Sequence, residues 1–361
     1  MKKQLRFVLL ASALVLAFVF GSCSVSETGR EDTSYLTIMT WNVHNLFDGE
    51  DNGYEYPEFL QSSGWSREKY LGRLSTLSDA ISRISPLPDI IALQEVENLT
   101  VLEDLALAVG GGHAWVHFAG NPGAAIGLGI LSRRPLLEAK AHTITIDGDT
   151  SPRPVLEIRV QPKAGVEEAI VIFICHWKSK LGGDIATEAA RRASTRVILR
   201  RIRELQENEP NLGIIVAGDL NLNHDDFYRH GASIVCALLP DDPFSVILTG
   251  GIQNDFIVIT RNKPPVPIYF PQETIVMYSP WMRELENGSY FFRNNWNTID
   301  HFLVSYQFFD NTGWEYVKTV VKNYPPFANS NGLPMPYNVR TGFGLSDHLP
   351  LVMTLRMLAM E

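Results

Sequence analysis

The sequence predicts a mixed α/β fold in which stacked β-sheets are flanked by helices. Short apolar runs rich in Val and Ile recur along the chain, few segments keep helical spacing, and those helices interrupt the strands only in places. A regular alternation of strands and helices would instead indicate one wound parallel sheet. With 361 residues, 45% of them hydrophobic and 20% charged, the chain can bury a sizeable core.

Residues 1–22 are typical of a secretory signal. Two lysines and an arginine precede the apolar run from Phe7 to Phe20, and small residues then stand before Cys23. A transmembrane anchor is the alternative, but the run is shorter than the roughly 20 apolar residues that a span needs. A cysteine in this place resembles a bacterial lipoprotein signal. That resemblance implies that Cys23 is lipidated and that the exported protein is anchored to a membrane of the cell envelope; otherwise it is secreted.

Residues 23–34 are polar and lack apolar periodicity, so they are predicted to be a flexible tether, followed by one domain over 35–361. The later cysteines, Cys175 and Cys236, lie in apolar stretches and are predicted to be buried free thiols. The formal net charge of −9 excludes a global attraction to nucleic acid or anionic lipid. Binding of a polyanion would need a local basic patch or a bound cation.

The predicted strands share a short apolar run, Val/Ile enrichment and flanking turn residues. In chain order they are YLTIMTWNV, DIIALQEV, AIGLGILS, VLEIRV, AIVIFICHW, LGIIVAGDL, TIDHFLVS, WEYVKTVV and HLPLVMTL.

The predicted helices keep apolar residues on one face. The first has Tyr70, Leu74, Leu77, Ile81 and Ile84 after "GWS", and a weaker one covers Leu99 to Val109. The third begins after Asp184 as N-cap and carries Ala189, Ala193, Val197, Ile202 and Leu205 on one face. Residues 262–281 hold five of the 21 prolines and are predicted to be irregular.

Polar side chains recur where the predicted strands end or begin. Any one of them alone is typical of a strand cap or a turn, but the repetition favours a shared site. The residues are Asn42, Gln94, Glu95, His176, Lys178, Asp219, Asn221, Asp300, Asp347 and His348. Carboxylate and amide oxygens are ligands that Mg²⁺ and Mn²⁺ prefer, and histidines beside acids suit proton transfer, so the set indicates hydrolysis of a phosphate ester.

Several of these segments together resemble the endonuclease/exonuclease/phosphatase superfamily, the deoxyribonuclease I-like proteins. "TWNVHN", "LQEVEN", "GDLNLN", "IDHFLVS" and "SDHLP" occur in the order and approximate spacing of that family, from about Tyr35 to Leu355. The resemblance implies a four-layered αββα sandwich, two packed mixed β-sheets flanked by helices, with the site at one end of the sheets.

The resemblance also implies a metal site for Mg²⁺ or Mn²⁺. Asn42 matches the asparagine that helps place the metal or phosphate, Glu95 matches the principal metal-binding carboxylate, and Asp347 matches a second carboxylate on the metal side.

The catalytic roles come from the same resemblance. Asp219 and Asn221 match the pair that orients the attacking water and contacts the phosphate, and His176 matches a residue that faces the phosphate. Asp300 matches the acid that holds the tautomer of His348.

Basic residues concentrate between His176 and Arg203, and the arginines there are typical of the solvated face of a helix. Lys178 is a candidate contact for the substrate phosphate, because it leaves the strand beside His176 and precedes the Gly182-Gly183 loop.

The sequence therefore predicts an exported, metal-dependent phosphoric ester hydrolase, with nucleic acid as the first choice of substrate and a nuclease-type phosphodiesterase as the activity. No protein partner is predicted, and a monomer is expected. The alternative enzyme is a sphingomyelinase-like phospholipid hydrolase or a sugar or inositol phosphate hydrolase, for which "PIYFPQETIVMYSPW" is a possible lipid-facing element. A non-enzymatic surface binding protein is disfavoured, because the acidic and histidine residues of the motifs are all present.

Overall fold

Two large mixed β-sheets packed against each other form the centre of the protein. The computed structural model describes residues 34–146, 148–151, 153–163, 168–249 and 255–358. Cys23 and the predicted signal segment lie outside the described residues, as does all of the predicted tether except Ser34. Among the described residues, no helix has the length and apolarity needed to cross a membrane.

The strands are numbered in chain order. They are β1 (Tyr35–Leu46), β2 (Ile90–Val96), β3 (Trp115–Ala119), β4 (Gly127–Ser132), β5 (Leu136–His142), β6 (Thr145–Ile146), β7 (Asp149–Thr150), β8 (Val155–Val160), β9 (Ile170–His176), β10 (Gly213–Asp219), β11 (Leu238–Pro240), β12 (Ile257–Thr260), β13 (Val276–Tyr278), β14 (Tyr290–Phe292), β15 (Asn295–Asn297), β16 (Asp300–Val304), β17 (Trp314–Val321) and β18 (Leu351–Met357).

The α-helices are α1 (Arg67–Ser82), α2 (Leu99–Val109), α3 (Glu188–Asn208), α4 (Asp226–Arg229) and α5 (Pro243–Thr249). Within the described residues, the first sheet has the strand order β17-β18-β1-β2-β4-β3 and the second has the order β11-β12-β13-β16-β10-β9-β8-β5. The remaining strands form two small hairpins, β6-β7 and β14-β15.

Three apolar clusters separate the layers. One lies between the sheets and includes Ile38 of the first and Ile215 of the second. A second packs α1 and α2 on the outer face of the first sheet, and a third packs α3 on the outer face of the second. The predicted four-layered αββα sandwich is therefore confirmed.

All of the strands predicted from apolar runs are present, and α1 and α2 match their predicted positions. The N-cap prediction for the third helix is wrong: α3 begins at Glu188 after Thr187, and the carbonyl of Asp184 instead accepts a hydrogen bond from Arg191. Ala189 is exposed because Glu188 and Arg191 occupy the buried face of the first turn. Cys175 and Cys236 are buried free thiols, as predicted.

The segment over residues 262–281 is irregular as far as 275 and then supplies β13, so that prediction holds for its first part. The arginines of α3 are not simply a solvated face. Arg191 is fully buried and paired with Glu188, whereas Arg192 and Arg196 both pair with Asp255.

Strand register brings the polar strand ends together. The parallel strands β1 and β2 align Asn42 with Gln94, and the parallel strands β9 and β10 align His176 with Asp219. β16 runs antiparallel to β10, so that its first residue, Asp300, pairs with Asp219. Parallel neighbours end together and an antiparallel neighbour begins there, so one edge of the sandwich collects these groups.

Gly218 allows β10 to deliver Asp219 to this edge. Its φ of +127° lies in a region that L-residues rarely adopt, and a Cβ atom at this position would lie 2.1 Å from the carbonyl oxygen of Cys175. The strand neighbour therefore leaves no room for a side chain.

We expect Gly218→Ala to lower the free energy of unfolding by about 2–5 kcal/mol, because it combines backbone strain with overpacking. Urea unfolding measures this loss. Gly72→Ala is the matched control: Gly72 is exposed inside α1 with open space around its Cα, so the same change should stabilise the protein by about 0.5–1 kcal/mol. Equal effects of the two substitutions would contradict the packing argument.

Candidate active site

The side chain of Asn42 links the two sheets. Its Nδ2 donates hydrogen bonds to Glu95 Oε1 at 3.0 Å and to Asp219 Oδ2 at 3.1 Å, while its Oδ1 accepts one from the backbone N–H of His44 at 2.9 Å. Asn42 is buried, so these bonds satisfy an amide that water cannot reach. They also hold two carboxylates close to one point.

The backbone is unusual where the site residues leave their strands. Glu95 and Asn221 have positive φ values of 66° and 50°, and the register between β2 and β4 shifts between Gln94 and Val96. A positive φ is uncommon for residues other than glycine, and such strain concentrates at functional sites. Here it turns the Glu95 side chain toward Asn42.

His176 faces both carboxylates at a distance longer than a normal hydrogen bond. Its Nε2 lies 3.6 Å from Glu95 Oε1 and 3.5 Å from Asp219 Oδ2. Burial, reinforced by the positive charges of Arg153 and His348, holds the pKa of His176 well below its usual range. The ring is therefore neutral at pH 7.

Asp219 is buried and has few donors. Its Oδ1 accepts the backbone N–H of Asn221 at 2.9 Å, and among the described residues its Oδ2 accepts a hydrogen bond from the Asn42 amide alone. Burial, together with the negative charge of Asp300, raises the pKa of Asp219 to about 7 against the opposing positive charge of His348. A nearby positive charge would stabilise the ionised form of a carboxylate in this position.

Asp300 and His348 form a buried ion pair. His348 Nδ1 lies 2.8 Å from Asp300 Oδ2, which also accepts the Ser289 hydroxyl at 2.6 Å. Although burial alone would lower it, interaction with Asp300 raises the pKa of His348 well above its usual range. His348 is therefore cationic, with Nδ1–H held by Asp300 and Nε2 left for the cleft.

Asp347 lies on the other side of His348. Its Oδ1 is 4.0 Å from His348 Nε2 and 3.8 Å from His44 Nδ1, and its side chain is a quarter exposed. Together with Glu95 it lines a cleft of about 860 Å³, the size of small-molecule and substrate sites.

Several acidic and histidine side chains lie close enough together to hold a divalent cation. In the described part of the chain, Asp219, Asp300 and His348 place ligand atoms within 4.8 Å of one another, as do Asp184, Asp226 and His230. In the first group, Asp300 and His348 are already paired. Glu95 and Asp219 instead offer oxygen atoms that share one amide donor, so a hard cation beside these two carboxylates fits the chemistry of the site.

The structure brings together Asn42, Glu95, His176, Asp219, Asn221, Asp300, Asp347 and His348, but it separates Lys178 from them. Lys178 is exposed and is not among the described residues that line the cleft. Lys180 lines the cleft instead, and its Nζ is 2.5 Å from Asp226 Oδ2 and 3.5 Å from Asp184 Oδ2. The contact of Lys178 with substrate remains a prediction.

Three polar residues next to the site have structural partners. His301 contacts the carbonyl of Leu222 at 2.8 Å, and His224 contacts the hydroxyl of Thr298 at 2.9 Å. Asn223 is buried and forms a turn by bonding Asp226 through its backbone and side-chain nitrogen atoms.

Two elements of the cleft were not predicted from the sequence. Arg153 precedes β8, and its Nη1 donates to the carbonyl of Trp177 at 2.7 Å. The β14-β15 hairpin contributes Tyr290, whose ring centroid is 4.6 Å from that of His348. Arg153 is a single basic residue before a strand, and such residues are too common in sequences to indicate a site. The aromatic residues of "GSYFFRNNWN" were visible but had no assigned partner.

Residues 37–231 match the Endonuclease/Exonuclease/phosphatase family. The chain belongs to this family. Its enzymes depend on divalent metals and hydrolyse phosphate esters, and this member retains acidic and histidine groups able to hold a metal. No curated relative matches the sequence significantly.

Solved structures of the family share the fold at low sequence identity. An endonuclease/exonuclease/phosphatase family protein from Bacteroides thetaiotaomicron is 16% identical over 90% of this chain and 96% of its own, with a TM-score of 0.51. Truncated Caenorhabditis elegans TDP2 is 13% identical over 89% and 97%, with a TM-score of 0.52. The human nocturnin catalytic domain is 14% identical over 91% and 97%, with a TM-score of 0.51. These three proteins therefore share the architecture of this chain.

The Asp300–His348 pair makes a prediction for the metal-free protein. In Asp300→Asn, the imidazolium loses its hydrogen-bonded carboxylate, and the more distant charges of Asp347 and Asp219 are left to oppose the effect of burial, so the pKa of His348 should fall. A pH titration of the His348 ring followed by NMR measures this change. In the wild type, the ring should stay protonated as the pH rises through 6.5, the ordinary histidine value.

Asp104→Asn is the matched control, because Asp104 accepts a hydrogen bond from Tyr70 and does not line the cleft. It should leave the His348 titration unchanged. Turnover should fall by roughly 10²–10⁴-fold in His348→Ala, and the double variant with Asp300→Asn should lose little more. Multiplying losses would mean that Asp300 does not act through His348.

Proposed function

We propose that this protein is a Mg²⁺- or Mn²⁺-dependent hydrolase of phosphodiesters, with nucleic acid as its substrate. The observation that carries the proposal is the convergence of Glu95 and Asp219 on one amide, opposite the cationic His348. Two carboxylates beside a cation suit a reaction in which negative charge develops on a phosphoryl group.

A divalent cation held by Glu95 beside Asp219, with Asn42 positioning the two carboxylates and Asp347 on the same rim, would neutralise charge on the phosphoryl oxygens. Asp219 orients the attacking water and accepts its proton, a role suited to a buried carboxylate whose pKa is raised to about 7. The cationic His348 donates from Nε2 to a phosphoryl oxygen, and Asp300 keeps the ring charged and oriented through Nδ1–H.

His176 and Asn221 complete the assignment. Neutral His176 presents Nε2 to the same point as the two carboxylates. Asn221 is held by the hydrogen bond from its Nδ2 to the carbonyl of Trp177 at 3.2 Å, and its side chain lines the cleft. Both are placed to contact the phosphate.

Two arginines that line the cleft favour an extended anionic substrate. Although the protein carries a net charge of −9, Arg153 and Arg293 line the cleft and neither forms an ion pair with a described carboxylate within 4 Å. The nocturnin catalytic domain was solved with a bound sulfate anion, which has the shape and charge of a phosphate group. Unpaired arginines beside a phosphate site suit a chain of phosphodiesters.

The phospholipid alternative has less support. Pro267 and Val276, from the segment considered as a lipid-facing element, line a separate cavity with Ser305. Ser305 follows the end of β16 that is remote from Asp300. Trp281, at the end of the same segment, reaches the backbone of Asp300 but is buried, so it offers no lipid-facing surface at the cleft.

We expect activity to vanish in EDTA and to return with Mg²⁺ or Mn²⁺, because Glu95 and Asp219 need a cation between the protein and the phosphate. Hydrolysis assays on single- and double-stranded DNA, RNA, sphingomyelin and inositol phosphates measure this and rank the substrates. Glu95→Gln keeps the side-chain shape and removes the charge, so it should raise the metal concentration needed for half-maximal activity.

Glu138→Gln is the control for this series, since Glu138 is exposed, pairs with Lys140 and does not line the cleft. Full activity in EDTA would contradict the metal-dependent mechanism. Preference for sphingomyelin or an inositol phosphate over every nucleic acid would replace the proposed substrate.

We also propose that the protein is exported as a lipoprotein anchored through Cys23, which would place a monomeric enzyme at a membrane of the cell envelope. The support is the order of basic, apolar and small residues before Cys23. Mass spectrometry of the native N-terminus should find a lipidated Cys23, and Cys23→Ser should block lipidation without changing hydrolysis. An unmodified N-terminus at another residue would contradict the anchor.

A further inference from the structure

The β14-β15 hairpin presents two different faces. Tyr290 pairs with Asn297 and Phe292 pairs with Asn295, and all four of these side chains line the cleft. The opposite face carries Phe291 and Trp296, whose rings contact edge to face at 5.1 Å. Trp296 packs against the apolar cluster on the outer face of the first sheet, so this face anchors the hairpin to the protein. The other face is left to contact a ligand.

The cleft face forms an aromatic path that leads away from the candidate active site. The Tyr290 ring lies 4.6 Å from His348, and the Phe292 ring lies nearly parallel to that of Tyr290 at 6.0 Å and 16°. Phe292 is 50% exposed, and the guanidinium of Arg293 is 5.1 Å from its ring centroid. An exposed aromatic ring, two amides and a cation therefore stand in one row next to His348.

We propose that this hairpin face, comprising Tyr290, Phe292, Arg293, Asn295 and Asn297, binds an unpaired nucleotide next to the phosphate that is cleaved, so that the substrate is a single-stranded nucleic acid. The inference rests on the proposed function and specifies its substrate. The base stacks on Phe292, the amide of Asn295 contacts the base edge, and Arg293 contacts the next phosphate. Stacking needs a free base face, which a paired base inside a duplex does not offer.

Sheet order places a second cation on the other side of the reacting centre. Across the edge of the second sheet, the order is Arg153 before β8, His176 at the end of β9, Asp219 at the end of β10 and Asp300 at the start of β16. The hairpin leads directly into β16. Arg153 and Arg293 thus lie on opposite sides of the reacting centre. The phosphates on either side of the cleaved phosphate in an extended strand would lie next to these two arginines.

The hairpin face is less suited to contact with a membrane than to contact with a nucleic acid. Phe292 is followed at the tip by Arg293 and Asn294, and its cross-strand neighbour is the exposed polar residue Asn295. A tip that enters lipid would need contiguous apolar side chains, because polar groups are costly to move out of water. Alternating aromatic rings and amides are instead the groups that bind bases.

The test measures binding, so that it does not depend on turnover. In an Asp219→Asn background with Mg²⁺ present, fluorescence anisotropy compares a single-stranded oligothymidylate with an abasic oligonucleotide of the same length and charge. We expect the base-bearing strand to bind roughly 10-fold or more tightly, the size of one stacking interaction. Phe292→Ala should remove most of that preference, and Phe292→Trp should retain it.

Phe244→Ala is the matched control, since Phe244 is 68% exposed and does not line the cleft. It should leave the preference unchanged. Arg293→Gln should instead weaken both strands and reduce the slope of log Kd against log salt by about 0.7, the value for one phosphate contact on a single strand. Thermal unfolding should be the same in all of these variants, because the substituted side chains are exposed.

An unchanged preference in Phe292→Ala would overturn the inference, and so would equally tight binding of a duplex. Loss of binding to phosphatidylglycerol vesicles in Phe292→Ala, with the base preference intact, would also overturn it and assign the hairpin to a membrane. Failure of the proposed function is a separate result: the wild type would hydrolyse no phosphate ester with Mg²⁺ or Mn²⁺, whatever the oligonucleotides show.

Discussion

The amide of Asn42 is the contact on which the candidate site depends, because it joins the ends of the two sheets at the edge where the acidic side chains meet. One nitrogen atom donates to Glu95 on its own sheet and to Asp219 on the other. Hydrogen bonds to charged groups contribute roughly 1.5–3 kcal/mol each, and a buried carboxylate left without a donor costs more. The spacing of the two carboxylates is therefore set by a single buried side chain.

The two buried aspartates at this edge, Asp219 and Asp300, have different electrostatic surroundings. Asp300 is neutralised inside the protein by His348, and Trp281 donates to its backbone carbonyl at 2.7 Å. Asp219 has no comparable cation within hydrogen-bond distance in the described chain, and its pKa is accordingly raised to about 7. One acid is thus committed to holding a histidine, while the other is left for a metal, a water molecule or a proton.

The fold was predictable from the sequence because its strands are short apolar runs and its site residues are attached to their ends. "IIVAGDLNLN" illustrates this: the run from Ile214 to Ala217 predicts a buried strand, and Asp219 and Asn221 follow at its end. The N-cap prediction at Asp184 was wrong because Glu188 and Arg191 occupy the buried face of the first turn of α3. The pattern of apolar residues does not reveal this burial, since it depends on the ion pair between these two charged side chains. Local periodicity cannot detect a charge that is neutralised by tertiary contact.

The parts of the site that escaped prediction have a common cause. Arg153 and the β14-β15 hairpin lie outside the strand ends, and they reach the cleft through sheet order and cross-strand pairing rather than through a local motif. Lys178 and Lys180 show the same limit at the scale of two residues, since the turn after β9 points one lysine to solvent and the other to Asp226. The proposed catalytic residues are fixed by the strand ends, whereas the proposed substrate contacts lie on the loops around them, where sequence spacing carries little information about direction.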